Sequence, residues 1–231
     1  MFRDEFGPNM TVSFRHQWEH PELGIPSRDK KAKLPAFRTR AFCEGCNSGW
    51  MGRLEEHVKP TLEPLILGKR TTLSGDEQQL VAFWATKTVL AFQSIEHTLT
   101  TWARPEDYAA VFRLQTPLAY SQIWLGATSA RQAVHYRAHR YPVPVPGSNS
   151  EEVHGFGATL TVGHSVFYLL VGYAGCVDMR LRYDAAFALK QTWRTTRSAF
   201  EWPPRRELSG NEIGHLATFL VNNSVIAPEL N

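Results

Sequence analysis

Hydrophobic residues recur at helical spacing in three segments of the first half of the chain. The first segment is Ser48 to Val58, and Pro60 is expected to end its helix, because the residue before a proline is biased out of the α region. The Ser-Gly-Asp-Glu sequence at Ser74 to Glu77 matches a capping box and predicts a core helix that runs to about Ile95. A third, shorter helix is predicted to begin at Pro105.

The pattern changes beyond Pro117, where aromatic and β-branched residues predict strands. These strands are expected over 121–128, 133–140, 153–162, 165–173 and 185–193. Val162-Gly163-His164 suits a hairpin connection between two of them, and a second capping box, Ser209 to Glu212, predicts a final helix to about Val221. The first 40 residues hold four prolines and little periodicity, which predicts a loop.

Helices and strands are segregated along the chain, and this order predicts an α+β fold. In full, we expect a small Cys-containing module (a partial ββα-metal unit), then a helical pair, an antiparallel sheet and a C-terminal helix. The predicted domains are residues 1–70, which contain the cysteine module and a basic arm, and residues 71–231, which form the α+β domain.

Composition favours a folded protein without a membrane partner. Of the 231 residues, 43% are hydrophobic and 12% aromatic, which is enough for a well-filled core. Three cysteines are too few for a secreted disulfide scaffold, and no signal peptide is visible at the N-terminus. The longest apolar run, Val166 to Val171, is far short of the roughly 20 residues that a membrane helix needs. We therefore expect a cytoplasmic protein.

The charge is mildly basic, with a formal net charge of +3 and a pI near 8.8. Residues 27–40 hold six basic residues against one acid, the densest positive segment in the protein. The candidate contacts to DNA or RNA in this segment are Lys30, Lys31, Lys33, Arg38 and Arg40. A solvated arm is an equally good interpretation, since charge runs usually face water.

Cys43 and Cys46 form a C-x-x-C pair, which can supply half of a tetrahedral zinc shell. The string Cys43-Glu44-Gly45-Cys46-Asn47-Ser48-Gly49-Trp50-Met51, followed by Leu54-Glu55, resembles a branch of the HNH (His-Me finger) endonuclease-like proteins. In that branch a C-x-x-C-N-x-G-W-M-x-x-L-E string recurs. The later segments Trp84 to Thr88 and Trp124 to Gly126 also look like this family.

The resemblance implies metal-dependent cleavage of phosphodiester bonds in nucleic acid. In the family, an earlier C-x-x-C completes the zinc site, and a Glu-His or Asp-His pair on the first strand supplies the general base. Asn47 matches the metal-facing residue at the start of the motif helix, although an asparagine there is also a good N-cap. A divalent ion such as Mg²⁺ or Mn²⁺ would neutralise charge on the phosphate while a histidine takes a proton from the attacking water. Glu55 could also ligate a metal, or only favour the helix dipole.

The chain departs from the family pattern upstream of the motif, where no cysteine precedes Cys43. The catalytic half is therefore expected to be missing, through truncation or degeneration, unless Glu19-His20 is the displaced base pair with His20 as the catalytic residue. A second interpretation joins His16 and His20 to Cys43 and Cys46 as a Cys₂His₂ zinc site. The alternative to a nuclease is thus a non-enzymatic, zinc-stapled module that binds nucleic acid or protein.

Overall fold

A computed structural model describes residues 11–17, 27–33, 44–95, 103–143, 153–173, 189–193, 198–214 and 216. A short α-helical turn, Glu44–Cys46, and a π-helical turn, Asn47–Met51, precede the first long helix. The long helices are α1 (Gly52–Leu67), α2 (Gly75–Ile95) and α3 (Pro105–Leu114). The strands are β1 (Thr11–Gln17), β2 (Ser27–Lys33), β3 (Thr71–Leu73), β4 (Ser121–Val143), β5 (Val153–Val171), β6 (Lys190–Trp193) and β7 (Phe200–Trp202). The predicted α+β class is confirmed.

The long antiparallel pair β4 and β5 forms the centre of the main sheet. The two strands pair from Ser121 opposite Val171 to Val143 opposite Val153. Two strands share the edge of β4 that faces away from β5. β6 pairs antiparallel with residues 123–125, and β1 pairs parallel with residues 134–138. β2 then extends the sheet in the order β2-β1-β4-β5, and β3 and β7 form a separate two-stranded sheet. The sheet is thus antiparallel except where β1 joins it.

The loop predicted for the first 40 residues is wrong over 11–17 and 27–33, which are strands. β1 pairs with β2 on one side and with β4 on the other. The backbone of β1 is therefore ordered by hydrogen bonds to a strand more than 100 residues away, and β2 is ordered by its pairing with β1. Their own residue pattern carries little of that information, because β preference depends strongly on the neighbouring strands.

Helix α1 continues past Pro60, so the end predicted there is also wrong. Pro60 and Pro64 both lie inside α1, which ends only at Gly68, a left-handed residue with φ of 67°. A proline inside a helix removes one backbone hydrogen bond and costs about 3 kcal/mol. Buried apolar side chains from the second half of the helix offset that cost; they are Leu62, Leu65 and Ile66.

The hairpin predicted at Val162-Gly163-His164 is replaced by a distortion inside one continuous strand. Gly163 lies within β5 with φ of 58°, opposite a register shift in β4 between Ala127 and Val134. Ala127 and Val134 both belong to the same buried cluster. Residues seven positions apart in a regular strand would face opposite sides of the sheet. The irregularity therefore keeps one face of the sheet apolar on both sides of the bend.

Helices α1 and α2 pack on that apolar face. Val81, Trp84, Ala85 and Val89 of α2 are fully buried. The predicted capping box of α2 is confirmed, since Ser74 N donates to Glu77 Oε2 at 2.8 Å and Glu77 N donates to Ser74 Oγ at 3.3 Å. Residues of α1 and α2 share one buried cluster across the predicted boundary at residue 70, and the division into two domains stays a prediction.

The opposite face of the sheet is covered by the C-terminal segment. Trp124 and Tyr168 of the sheet form a second buried cluster with Ile213 and Leu216. The capping box at Ser209 to Glu212 is also confirmed and opens helical residues 210–214. Within the described ranges, the helices are all too short or too polar to cross a bilayer.

Candidate functional site around the cysteine motif

The motif enters α1 through a kink rather than a regular helix start. Gly49 departs from helical geometry, with φ of −82° and ψ of −111°, between the turns that precede α1. Asn47 begins the π-helical turn Asn47–Met51, so its backbone lies inside the helical segment and not at the N-cap. Its side chain lies outside the described part of the structure.

The predicted metal ligands are only partly covered by the structure. Cys43 and His20 lie outside the described residues, and so does the side chain of His16, whose backbone belongs to β1. Cys46 is half-buried and forms no disulfide. Within the described ranges, no three side chains of His, Cys, Asp or Glu are close enough to share a metal ion. The described chain thus supplies one of the four proposed zinc ligands, and the site stays a prediction.

Glu55, the acid that ends the motif, fastens α1 to α2. Its Oε1 accepts a hydrogen bond from Trp84 Nε1 at 3.1 Å and forms an ion pair with Lys87 Nζ. The Lys87 side chain is only 9% exposed, so the carboxylate compensates a nearly buried cation. Glu55 therefore has a positioning role in the described structure, whereas its neighbour Glu56 is exposed.

Two segments that are distant in sequence meet at this contact. One is the motif, and the other is the Trp84 to Thr88 segment that also resembles the HNH-like family. Trp50 adds a second contact, because its ring stacks on Phe83 with centroids 6.0 Å apart. The motif residues Met51 and Leu54 are buried beside it. The described part of the motif is consequently a packed frame.

An apolar pocket of about 310 Å³ opens between this frame and α3. The motif contributes Cys46, Trp50 and Met51, and Lys87 lies on the α2 side. The α3 side is formed by Tyr108, Ala109, Val111 and Phe112. Phe112 is half exposed and meets Trp50 edge-to-face at 6.1 Å. The pocket has the size and lining to hold an aromatic or aliphatic group.

Sequence reasoning missed this pocket, because α3 carries no motif that would connect it to the cysteines. Tyr108 is held by a hydrogen bond from its hydroxyl to Leu90 O at 3.3 Å. Burial, and to a lesser degree the charge of Asp107, raises the pKa of Tyr108 to about 12. The phenol is therefore protonated at neutral pH and acts as a donor. Only the docking of α3 against α2 brings it beside Cys46.

Asp107 holds α3 in place. Its side chain is fully buried and accepts hydrogen bonds from Arg104 N and Tyr173 Oη, both at 2.7 Å, and from Tyr120 Oη. The Arg104 guanidinium lies 3.6 Å from the centroid of the Tyr173 ring. Burial and the bond to Asp107 raise the pKa of both Tyr120 and Tyr173, which keeps both phenols protonated. One carboxylate thus connects the start of α3 to the residue just before β4 and to a residue just after β5.

The predicted nucleic-acid contacts fall on and after an edge strand. Lys30, Lys31 and Lys33 belong to β2, where they lie opposite Phe14, Ser13 and Thr11 in the ladder. Arg38 and Arg40 lie outside the described residues. Lysines on an edge strand can contact phosphates, and they also discourage edge-to-edge association. Binding through this segment stays a prediction.

No family model matches the chain, and neither the curated proteins nor the solved structures include a significant match. The resemblance to HNH endonuclease-like proteins therefore depends on the motif residues alone. It stays a prediction, and so do the zinc site and the nuclease chemistry that it implies.

The role of Glu55 can be measured through Lys87. Replacing Glu55 with glutamine removes the charge but keeps an oxygen for Trp84, and it leaves a nearly buried ammonium uncompensated. We expect the free energy of unfolding to fall by about 2 kcal/mol in chemical denaturation. The Lys87→Met change should abolish most of the effect of Glu55→Gln, and the double-mutant cycle reports the coupling.

Glu56→Gln is the matched control, because this neighbouring carboxylate is exposed. It should change stability by less than about 0.5 kcal/mol. Equal effects at the two positions, or an additive cycle, would contradict the assigned role of Glu55.

Proposed function

We propose that this chain is a cytoplasmic HNH endonuclease-like protein that binds nucleic acid and cleaves its phosphodiester bonds with a divalent metal ion. The observation that best supports this proposal is the contact of Glu55 with Trp84 and Lys87. Two of the three segments that resemble the family take part in it, as expected if they form one inherited unit. The segment from Cys43 to Glu56 would then be the frame on which the site is built.

The proposed chemistry divides among four groups of residues. Cys43 and Cys46 would supply two of the four ligands of a structural zinc, and a Mg²⁺ or Mn²⁺ ion would neutralise charge on the scissile phosphate. Asn47, which begins the helical turn Asn47–Met51, would be the residue that faces this ion. His20, activated by Glu19, takes the proton from the attacking water. The lysines of β2 hold the nucleic-acid backbone by its phosphates.

The test is nicking of supercoiled plasmid DNA, and of a structured RNA, in the presence of Mg²⁺ or Mn²⁺. We expect cleavage that falls at least about hundredfold in both Asn47→Ala and His20→Ala, since general-base and metal-facing groups contribute on that scale. Glu56→Gln should keep full activity. Cleavage that survives both alanine changes would point to a contaminating nuclease, and absence of cleavage by the unaltered protein would reject the catalytic proposal.

The second candidate is a non-enzymatic, zinc-stapled interaction module. It is favoured by the packing of the motif, in which Met51 and Leu54 are buried, Trp50 packs against the core and Glu55 pairs with Lys87. In this case His16 and His20 complete a Cys₂His₂ shell with the two cysteines. About one zinc per chain by elemental analysis, lost in His16→Ala and accompanied by no cleavage, would favour this module over the enzyme.

A further inference from the structure

The face of the sheet opposite α1 and α2 is polar at one end. Val134, Tyr136 and Ala138 of β4 face the main core, so the alternating residues His135 and Arg137 face the other way. In β5, Thr161 lies directly opposite His135 and Thr159 lies directly opposite Arg137. Directly opposed residues of an antiparallel pair share a face and lie close together. A cation, an imidazole and two hydroxyls are thus grouped on this face.

This group is covered rather than open to solvent. Thr159 and Thr161 are fully buried, and Arg137 is 8% exposed. Arg137 Nη1 donates a hydrogen bond to Gly214 O at 3.1 Å, which fixes the guanidinium against the C-terminal helical residues.

Three other buried serine and threonine hydroxyls of the sheet each have a carbonyl partner, whereas the Tyr168 hydroxyl on the same face has none. Thr128 Oγ1 donates to Leu208 O at 2.8 Å, Thr192 Oγ1 to Ile123 O at 3.2 Å and Ser165 Oγ to Val162 O at 2.7 Å. Thr159 Oγ1 and Thr161 Oγ1 have no hydrogen-bond partner within the described chain. A buried hydroxyl without a partner is costly, and such groups in native proteins usually serve a bound water or ion.

We propose that Arg137, Thr159 and Thr161 bind a small oxyanion of the size of inorganic phosphate. An arginine fork with neighbouring hydroxyl donors matches the oxygens of such an anion. The burial of both threonines favours a free anion over a phosphate group of a nucleic-acid backbone. This site lies on the face of the sheet away from the cysteine motif, and it does not depend on the nuclease proposal.

The parallel strand β1 places residues next to both His135 and Arg137 of β4. In the ladder, Ser13 lies opposite His135 and Arg15 lies opposite Arg137. An arginine therefore occupies the neighbouring position of the proposed site in the backbone register.

The test is calorimetric titration of the full chain with potassium phosphate against potassium chloride at matched ionic strength. We expect saturable phosphate binding and a phosphate-dependent rise in melting temperature. In the double variant Thr159→Val and Thr161→Val, affinity should fall at least about tenfold, while the ligand-free melting temperature stays equal or rises because two unsatisfied hydroxyls are removed. Arg137→Gln should abolish binding.

Thr192→Val is the matched control, since this buried strand threonine already has a carbonyl partner. It should lower stability and leave phosphate affinity unchanged. Equal melting temperatures in phosphate and chloride, or undiminished affinity in the double valine variant, would overturn the site and assign the hydroxyls to water. Displacement of phosphate by a short single-stranded oligonucleotide, with loss of oligonucleotide binding in the same variant, would instead assign the contact to nucleic acid and overturn the free-anion proposal.

Discussion

Replacing Asp107 with alanine is expected to lower the free energy of unfolding by about 4 kcal/mol. The change removes two hydrogen bonds from tyrosines to a buried carboxylate, each contributing about 1.5–3 kcal/mol, and the bond to Arg104 N at the start of α3. Thermal and denaturant unfolding both measure it, with a loss of roughly 2–4 °C in melting temperature for each kcal/mol.

The pocket beside the cysteine motif should respond to the same change. Asp107 fixes α3, and α3 supplies Tyr108 and Phe112 to the pocket. Alkylation of Cys46 by a small apolar thiol reagent should therefore change in rate in Asp107→Ala, because its surroundings loosen. Glu106→Ala removes an exposed acid from the same helical turn and is the control. A loss below about 1 kcal/mol in Asp107→Ala would contradict the assigned role of the cluster.

Replacing Gly163 with alanine is expected to lower the free energy of unfolding by about 3 kcal/mol. The residue has φ of 58°, which strains a side-chain-bearing residue by roughly 1–2 kcal/mol. A Cβ at this position would also overlap the Ile66 carbonyl oxygen and lie 2.7 Å from Ile66 Cγ2. Relieving that overlap requires a shift of α1 against β5, and such overpacking typically costs about 1–3 kcal/mol.

Gly210→Ala provides the control for Gly163→Ala. A Cβ at Gly210 meets no atom within 4 Å, and the residue lies in the first turn of the C-terminal helical segment. Its replacement should leave stability unchanged or raise it slightly. If Gly163→Ala proved as mild as Gly210→Ala, the close approach of α1 to β5 at Gly163 would be wrong.

The cysteine motif and the pocket suggest how the site of this protein is organised. Trp50 and Met51 fix the helical turn that carries Asn47, while Cys46 and Trp50 also line the pocket. Under the proposed function, an aromatic or aliphatic group of a ligand would lie within reach of the metal-facing segment. The frame is rigid because Glu55 joins it to Trp84 and Lys87 of the long core helix.

Features that depend on neighbouring residues in sequence were predictable. Both capping boxes form as expected, since Ser74 with Glu77 and Ser209 with Glu212 need only a helical first turn. α2 spans Gly75–Ile95 and α3 begins at Pro105, in agreement with the hydrophobic period and the helix-start residues. The α+β class follows from the order of these elements.

Features that depend on distant partners were not predictable. β1 and β2 lack a strand pattern and become strands because β4 offers β1 an edge to pair with. Pro60 is tolerated inside α1 because the residues after it are buried against the sheet. Gly163 is a residue type typical of turns. The strand continues through it because α1 packs on it and β4 pairs with β5 on both sides of it.

The candidate site divides in the same way. The sequence by itself placed Cys43, Cys46 and Asn47 in one local motif whose residue types and spacing resemble the HNH-like family, and that resemblance stays a prediction. Only the tertiary structure decided that Glu55 pairs with Lys87, that Tyr108 and Phe112 adjoin Cys46, and that Thr159 adjoins Arg137. Those contacts join residues far apart in the chain, and burial strengthens their electrostatic part. No local sequence pattern encodes either the contacts or the burial.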